Sequence, residues 1–215
     1  THTNIIPAAG VIFKNSSACK RLLDAVQKAA AAKGKYVRVG SAYRSAYNQA
    51  RVMFNNHKSK GPNWLDIYGA KHADEVRAIF DNTAYDREAK IRQAANLPWI
   101  ASASHSTGAI DISWVIDTSK EGIESATTSV PPPLELTELM LDVMRLTPVS
   151  ILVEEDHYHL NPDASVSNVV YAPTVSATLW TQIEGQGFWS GGTLEQIDAA
   201  KAAFWAEEEE EEEDN

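Results

Sequence analysis

Segments of helical and of strand periodicity alternate along this chain, and their order favours one fold class. Ser16 and Ser17 precede a helical run from Ala18 to Lys33, which Gly34 ends. In the range Tyr36 to Ala42, β-branched residues alternate with other residues, which is typical of a strand. The other strand candidates are Gly108 to Ile116, Val149 to Leu160 and Ser167 to Ala172, and the other helical patterns are Arg44 to Asn56, Ala73 to Phe80, Tyr85 to Ala95 and Leu134 to Leu146.

This succession of helices and strands predicts an α+β fold with a small, mainly antiparallel sheet flanked by helices. The stretch from His57 to Trp99 is polar and punctuated by Gly61 and Pro62. It predicts a covering subregion over the scaffold. His57 and His72 are expected to be ordinary surface histidines.

Composition divides the chain into three parts. We predict a domain at 1–172, an appendage with a helix at 173–206, and a disordered acidic tail at 207–215, where like charges repel. The tail supplies eight negative charges, so the net charge of −10 leaves only −2 for the rest of the chain. Nothing is basic enough to follow a phosphate backbone, which argues against nucleic acid as a partner.

Two further properties limit what the chain can be. No run of about eighteen apolar residues occurs, so we expect no membrane span. We also expect a monomer. Cys19 is the sole cysteine. It cannot form an internal disulfide or join a second cysteine on zinc, and its helical context predicts a small buried hydrophobe.

The second half of the chain holds an unusually polar strand candidate. Residues 154–160 read Glu-Glu-Asp-His-Tyr-His-Leu. Residues two apart on a strand face the same side, so His157 and His159 face one way, with Glu155 if the strand is regular. Imidazole and carboxylate are good zinc ligands, and a catalytic site needs about three of them plus an open position. The alternative is a solvated edge strand with ordinary charges.

An earlier run supplies further candidate ligands. Residues 105–112 read His-Ser-Thr-Gly-Ala-Ile-Asp-Ile. Gly108 permits a tight turn into a strand, and Asp111 then lies between Ile110 and Ile112. An acid in a strand otherwise suited to a core requires a partner, which is either a metal ion or local hydrogen bonds.

These runs, with one more upstream, resemble a family of zinc peptidases. Residues 41–45 read Ser-Ala-Tyr-Arg-Ser and are followed by Gln49. This is similar to the Gly-Tyr-Arg-Ser…Gln element of the D-alanyl-D-alanine carboxypeptidase and dipeptidase branch of the lysostaphin-like, D-Ala-D-Ala and hedgehog-like superfamily. The His-x-x-Gly…Asp and His-x-His elements follow in the family's order. The three elements span Tyr36 to Leu160, well over half the chain.

The resemblance implies roles for individual residues. His105, Asp111 and His159 resemble the three zinc ligands. His157 would then steady the transition state, and Asp156 would match the catalytic acid. In the alternative register, His157 is the ligand and Glu154 is the base.

The resemblance also implies substrate contacts, and this sequence departs from the family's pattern at two points. Arg44 matches the arginine that stabilises the oxyanion or anchors substrate, and Gln49 and Ser104 are the other candidates for substrate binding. The separation of His105 and Asp111 is one residue shorter than is common in the family. Ala103 stands where the family usually has Ser.

The function implied is a zinc-dependent hydrolase of the D-alanyl-D-alanine carboxypeptidase or endopeptidase type. It would act on D-amino-acid peptides of peptidoglycan, at the cell wall, in the periplasm or after secretion. Zinc would activate water and polarise the scissile carbonyl, and a carboxylate would move the proton. The alternative is a metal-binding or cell-wall-binding module of the same fold without catalysis, which the short spacing favours.

Overall fold

The computed structural model describes residues 1–101, 104–117, 119–125, 132–173, 175–185 and 191–213, without the side chains of 101, 104, 106, 125 and 207–213. The chain forms two compact units. The first consists of 1–42 and 108–215, and the second of 43–107.

Within the described residues, one seven-stranded sheet lies in the first unit. Its strands are β1 Ile5–Pro7, β2 Tyr36–Ser41, β3 Ile110–Asp117, β4 Ser150–Val153, β5 His157–Asn161, β6 Asn168–Tyr171 and β7 Gly192–Thr193. Their order across the sheet is β1-β2-β3-β5-β4-β6-β7.

The helices are distributed over both units. In chain order they are α1 Ser17–Ala32, α2 Ala46–Lys60, a 3₁₀ helix Pro62–Tyr68, α3 Ala70–Phe80, α4 Arg87–Ala95, α5 Pro98–Ala101, α6 Ser104–Thr107, α7 Lys120–Ser125, α8 Leu134–Leu146, α9 Ala177–Gly185 and α10 Leu194–Glu213. The α+β class predicted from the sequence is confirmed.

The sheet differs from the prediction in size and direction. It is neither small nor mainly antiparallel but mixed, because β1 runs parallel to β2 and β4 runs parallel to β6. Two strands at the edges, β1 and β7, have only three and two residues. Strands this short show no hydrophobic periodicity in the sequence. Whether two strands pair in parallel depends on how the chain connects them, which hydrophobic periodicity does not show.

Helix α1 illustrates how local sequence fixes an element. The backbone N–H of Cys19 donates to Ser16 Oγ at 3.2 Å, which caps the first turn. At the other end Gly34 has φ of +60°, and the N–H of Lys35 returns to the carbonyl of Ala30 at 3.0 Å. This is the glycine-based helix stop that the sequence predicts. Cys19 is fully buried, and burial raises the pKa of its thiol.

The core of the first unit lies between helices and one face of the sheet. Ile110, Ile112 and Trp114 of β3 are buried together with Tyr158 and Leu160 of β5. Buried residues of α1 and α8 belong to the same cluster. Burying each large apolar side chain contributes about 1.5–3 kcal/mol, so the core face of β3 and β5 is strongly specified.

The second unit is helical and has its own apolar cluster. Met53 and Phe54 of α2 pack with Phe80 of α3 and Ile91 of α4, and Leu65 of the 3₁₀ helix joins them. The rings of Phe54 and Phe80 meet edge to face at 5.2 Å between centroids. The polar stretch from His57 to Trp99 therefore contains a packed core of its own.

The division predicted at 172/173 stays a prediction. The helices after that point include Leu179, Ile183 and Ile197, which are buried in the core cluster of the first unit. Helix α10 extends to Glu213, so most of the run predicted to be disordered lies within its bounds. None of the described helices has the length and apolar character needed to cross a membrane.

Candidate metal centre

The antiparallel pairing of β3 with β5 places the predicted ligands opposite one another. Asp111 pairs with His159, and Ser113 pairs with His157. Directly opposed residues project from the same face of a sheet, within reach of each other's side chains. Because Ile110, Ile112 and Tyr158 take the core face, Asp111, His157 and His159 share the other face.

The residue between the two histidines fixes the strand that carries them. Tyr158 is fully buried, and its hydroxyl lies 3.1 Å from Thr137 Oγ1 of α8. Its ring packs against Trp114 at 6.1 Å between centroids. A one-residue slip of β5 would expose Tyr158 and bury the imidazoles on the apolar face, so packing sets which way the histidines point.

Asp111 and His159 form a close buried pair. Each residue is 7% exposed, and His159 Nδ1 lies 2.7 Å from Asp111 Oδ1. An isolated buried carboxylate is costly, and a hydrogen-bonded imidazole offsets that cost. The predicted need of Asp111 for a polar partner is met by this contact.

The third ligand that the resemblance implies, His105, is half-buried and lies in helix α6, near the end of the second unit. Asp111 and His159 are buried in the first unit and supply a carboxylate and an imidazole, donors that can hold a metal ion. The assignment of His105 as a ligand stays a prediction.

Imidazole and carboxylate are ligands that several divalent metal ions accept. The contact between His159 Nδ1 and Asp111 Oδ1, at 2.7 Å, is shorter than the roughly 3.4 Å that separates two ligand atoms on a tetrahedral ion. Binding of an ion through these two atoms would require the hydrogen bond between them to open.

The turn at Gly108 leads the chain into β3. Gly108 has φ of +106°, a conformation that residues with a Cβ rarely adopt. A Cβ there would lie 3.2 Å from Cys19 Cβ, a tight contact that adds to the backbone preference for glycine. The prediction of a tight glycine turn before the strand is confirmed.

The predicted strand Val149–Leu160 is a hairpin of β4 and β5. The N–H of Glu154 donates to the carbonyl of His157 at 3.0 Å and closes a tight turn. Glu155 and Asp156 occupy the middle of that turn and are exposed. The regular strand that would place Glu155 beside the histidines is therefore interrupted, and Glu155 instead accepts hydrogen bonds from Ser176.

Both nitrogens of the His157 ring contact carboxylates. Nε2 lies 2.6 Å from Glu154 Oε2, and Nδ1 lies 2.6 Å from Asp156 Oδ1. Nε2 is also 3.6 Å from Asp111 Oδ1. Burial alone would lower the pKa of His157, but the hydrogen bonds to Asp156 and Glu154 raise it to about 10. The hydrogen bond to His157 correspondingly lowers the pKa of Asp156.

The two candidate acids are placed differently. Glu154 forms a second group with Asp111 and His157, whose ligand atoms lie within 4.8 Å of one another. The side chain of Glu154 is 32% exposed, and that of Asp156 is 70% exposed. Glu154 thus contacts the ring nitrogen that faces Asp111, and Asp156 contacts the opposite nitrogen.

The candidate substrate residues lie in the second unit. The guanidinium Nη1 of Arg44 donates to Gln49 Oε1 at 3.4 Å, and Gln49 Nε2 donates to the hydroxyl of Tyr68 at 3.3 Å. The backbone N–H of Arg44 donates to the carbonyl of His105 at 3.2 Å. The backbone of Ser104 begins α6, and its side chain lies outside the described residues.

Two residues that bind the side chains described above gave no functional signal in the sequence. Tyr68 extends the hydrogen-bonded series from Arg44 through Gln49. Ser176 binds the acidic turn at Glu155. Both contacts join residues about twenty positions apart in the chain, so no local sequence pattern predicts them.

The surface position expected for two other histidines is only partly correct. His57 is 6% exposed, so the expectation is wrong, and its Nε2 lies 2.9 Å from Asp81 Oδ1. Helix α2 continues to Lys60, past the predicted end at Asn56, and His57 lies among its buried residues. His72 is half-buried and stacks on Trp99 at 4.4 Å between ring centroids.

No protein-family model matches the chain, and no curated protein or solved structure matches it. The resemblance to D-alanyl-D-alanine peptidases therefore rests on the three sequence elements.

Proposed function

We propose that this chain is a zinc-dependent peptidase of the D-alanyl-D-alanine carboxypeptidase or endopeptidase type. The observation that carries the proposal is the buried pair of Asp111 and His159 beside Glu154 and His157, at the positions where the resemblance implies zinc ligands and catalytic groups. A metal group beside a carboxylate and a second imidazole contains the parts that metal-assisted hydrolysis needs. The substrate class, D-amino-acid peptides of peptidoglycan, comes from the sequence resemblance.

His105, Asp111 and His159 would hold the ion. Bound zinc supplies Lewis acidity, which polarises a carbonyl and makes water a stronger acid. Two neutral imidazoles and one carboxylate leave a net positive charge on the site, and this favours the Lewis acid role.

Glu154 is the proposed proton carrier. It is half-buried, and its carboxylate lies within 4.8 Å of the ligand atom of Asp111. A carboxylate so placed takes a proton from the attacking water and returns it to the leaving amine. The sequence favours Asp156 in this role, but Asp156 contacts the far nitrogen of His157 and is largely exposed.

His157 and Arg44 are proposed to offset charge on the reacting carbonyl. With a pKa of about 10, His157 carries a positive charge at neutral pH beside Asp111. Fixed donors of this kind often contribute about 3 kcal/mol each to transition-state stabilisation. Arg44, held by Gln49, matches the arginine of the family's upstream element.

The test begins with the metal content of the purified chain by mass spectrometry. Defined stem peptides and cross-linked peptidoglycan fragments are then incubated with the zinc-loaded protein, with and without chelator, and the products are identified by mass. We expect cleavage that chelator abolishes and zinc restores. His105→Ala should lose it, and His72→Ala is the matched control that should retain it.

A second outcome would assign a different function. The shortened spacing of His105 and Asp111 favours a metal-binding module that engages cell-wall polymer without cleaving it. Zinc bound at one equivalent, with no product from any fragment, would overturn the peptidase and support that module. No zinc binding at all would contradict both.

A further inference from the structure

Three consecutive acids in the turn between β4 and β5 have different partners. Glu154 and Asp156 contact the ring of His157, as described above. Glu155 points instead to the start of α9. There the backbone N–H of Ser176 donates to Oε2 at 3.0 Å, and the hydroxyl of Ser176 donates to Oε1 at 3.1 Å. Both oxygens of Glu155 are thus bound by one residue.

Ser176 is the N-cap of α9. Its Oγ accepts from the N–H of Leu179 at 3.1 Å, and its carbonyl accepts from the N–H of Trp180 at 3.0 Å. The start of a helix has unpaired N–H groups and a partial positive charge, and both attract a carboxylate. Glu155 is therefore held by the end of a helix as well as by a hydroxyl.

Helix α9 is itself fixed to the hairpin. Leu179 and Ile183 are buried in the core of the first unit, at 1% and 0% exposure. The strand before α9 pairs with β4 through Val153 and Tyr171. The N–H of Ala172 also donates to the carbonyl of Val153 at 2.9 Å. The anchor for Glu155 is therefore attached to the same hairpin whose turn carries the three acids.

We propose that the contact between Glu155 and Ser176 positions the acidic turn of the candidate site. Three neighbouring carboxylates compete for one imidazole that has two nitrogens. Ser176 removes the third carboxylate from that competition and fixes the turn so that Glu154 and Asp156 flank His157. Glu155 and Ser176 are positioning residues, and the catalytic consequence of this inference rests on the proposed function.

The test uses the full chain with Glu155→Ala, Ser176→Ala and the double variant. Ser176→Thr is the conservative variant, because it keeps the hydroxyl and the backbone N–H. Asp163→Ala removes another exposed acid of the same unit and is the matched control. The first readout is the NMR signals of the His157 ring in zinc-free protein, and the second is kcat and KM of the zinc-loaded protein.

We expect Glu155→Ala and Ser176→Ala to displace the His157 ring signals in the same direction. The double variant should add nothing further, because the two residues act through one contact. Ser176→Thr and Asp163→Ala should leave the signals in place. In the zinc-loaded protein, kcat should fall roughly threefold to tenfold while KM and bound zinc stay constant, since small misplacement of reacting groups is costly.

Unchanged His157 signals in both single alanine variants would overturn the inference, as would displacements that add in the double variant. If Ser176→Ala fails to fold, Glu155→Ala and Ser176→Thr decide the question. Absence of peptide cleavage by the wild type would refute the proposed function alone, because the ring signals would still report whether Glu155 and Ser176 position the turn.

Discussion

Each compact unit contains a buried histidine beside an aspartate, and the two pairs differ in their surroundings. His159 and His57 are 7% and 6% exposed, and each ring lies within 3 Å of its acid, at 2.7 Å and 2.9 Å. The side chain of Asp111 is 11% exposed, however, whereas that of Asp81 is 59% exposed. Only the first acid is removed from water.

The neighbours of the two pairs also differ. The ring of His57 packs near Phe80 at 5.6 Å between centroids, and its Nδ1 is buried and has no hydrogen-bond partner among the described residues. Ligand atoms of two other residues of the first unit, Glu154 and His157, lie within 4.8 Å of that of Asp111. A buried histidine beside an acid is thus not by itself a sign of chemistry. Convergence of several ligand atoms on a buried acid is the more informative feature.

The comparison is tested most severely by removing one carboxylate from each pair. Asp111→Asn should weaken zinc binding more than about 100-fold, since loss of a group that merely supports a ligand often costs roughly 10–100-fold. Asp81→Asn should leave the affinity unchanged. Competition with a chromophoric zinc chelator measures both. Equal affinities for the two variants would refute the assignment of Asp111 as a ligand.

Glu154 and Asp156, the two acids that contact His157, allow the comparison to be tested by enzyme kinetics. Glu154→Gln should lower kcat by about 100-fold or more, the contribution of a general acid–base group, without loss of bound zinc. Asp156→Asn should lower kcat by less than about tenfold, because that side chain is largely exposed. Steady-state kinetics on a cleaved stem peptide gives both values. The reverse order would return the role of base to Asp156.

His157 also predicts that the stability of the fold depends on pH. The fold raises its pKa from 6.5 to about 10, so the protonated ring is favoured in the folded state. Its stabilising contribution is complete below about pH 6.5 and is lost as the pH rises towards about 10. Urea unfolding of zinc-free wild type and His157→Gln should show a difference that shrinks across this range. A constant difference would contradict the charged contact.

The smallest effect is expected at His57. His57→Leu removes the contact of Nε2 with Asp81, which is 59% exposed and stays in water, so the free energy of unfolding should change by less than about 1 kcal/mol. His159→Leu should cost about 1–3 kcal/mol in zinc-free protein, because it leaves Asp111 buried without its imidazole. Urea denaturation measures both. Equal losses of unfolding free energy in the two variants would show that Asp81 and Asp111 do not differ in their exposure to water.

Local signals predicted much of the fold. Helix α8 has the predicted bounds, Leu134–Leu146, and α1 has the predicted serine cap and glycine stop. The apolar alternation of Ile110 and Ile112 places Asp111 on the opposite face of β3. These features depend on neighbours within a few residues, which the sequence displays directly.

The failures have a common cause. Val149–Leu160 is predicted as one strand, but the tight turn at Glu154 to His157 divides it. The parallel pairing of β4 with β6 is not predicted, and neither is the burial of His57. Each depends on which segments pack together, and residues distant in sequence decide that.

The residue pattern was enough to predict the imidazoles and carboxylates of the candidate site and the strands that carry Asp111 and His159. Which carboxylate contacts which ring nitrogen followed only from the fold: Glu154 and Asp156 flank His157, while Glu155 binds Ser176. Side-chain direction along a strand follows from a local period, whereas the partner across a turn or at the start of a helix is fixed only when the whole core has packed.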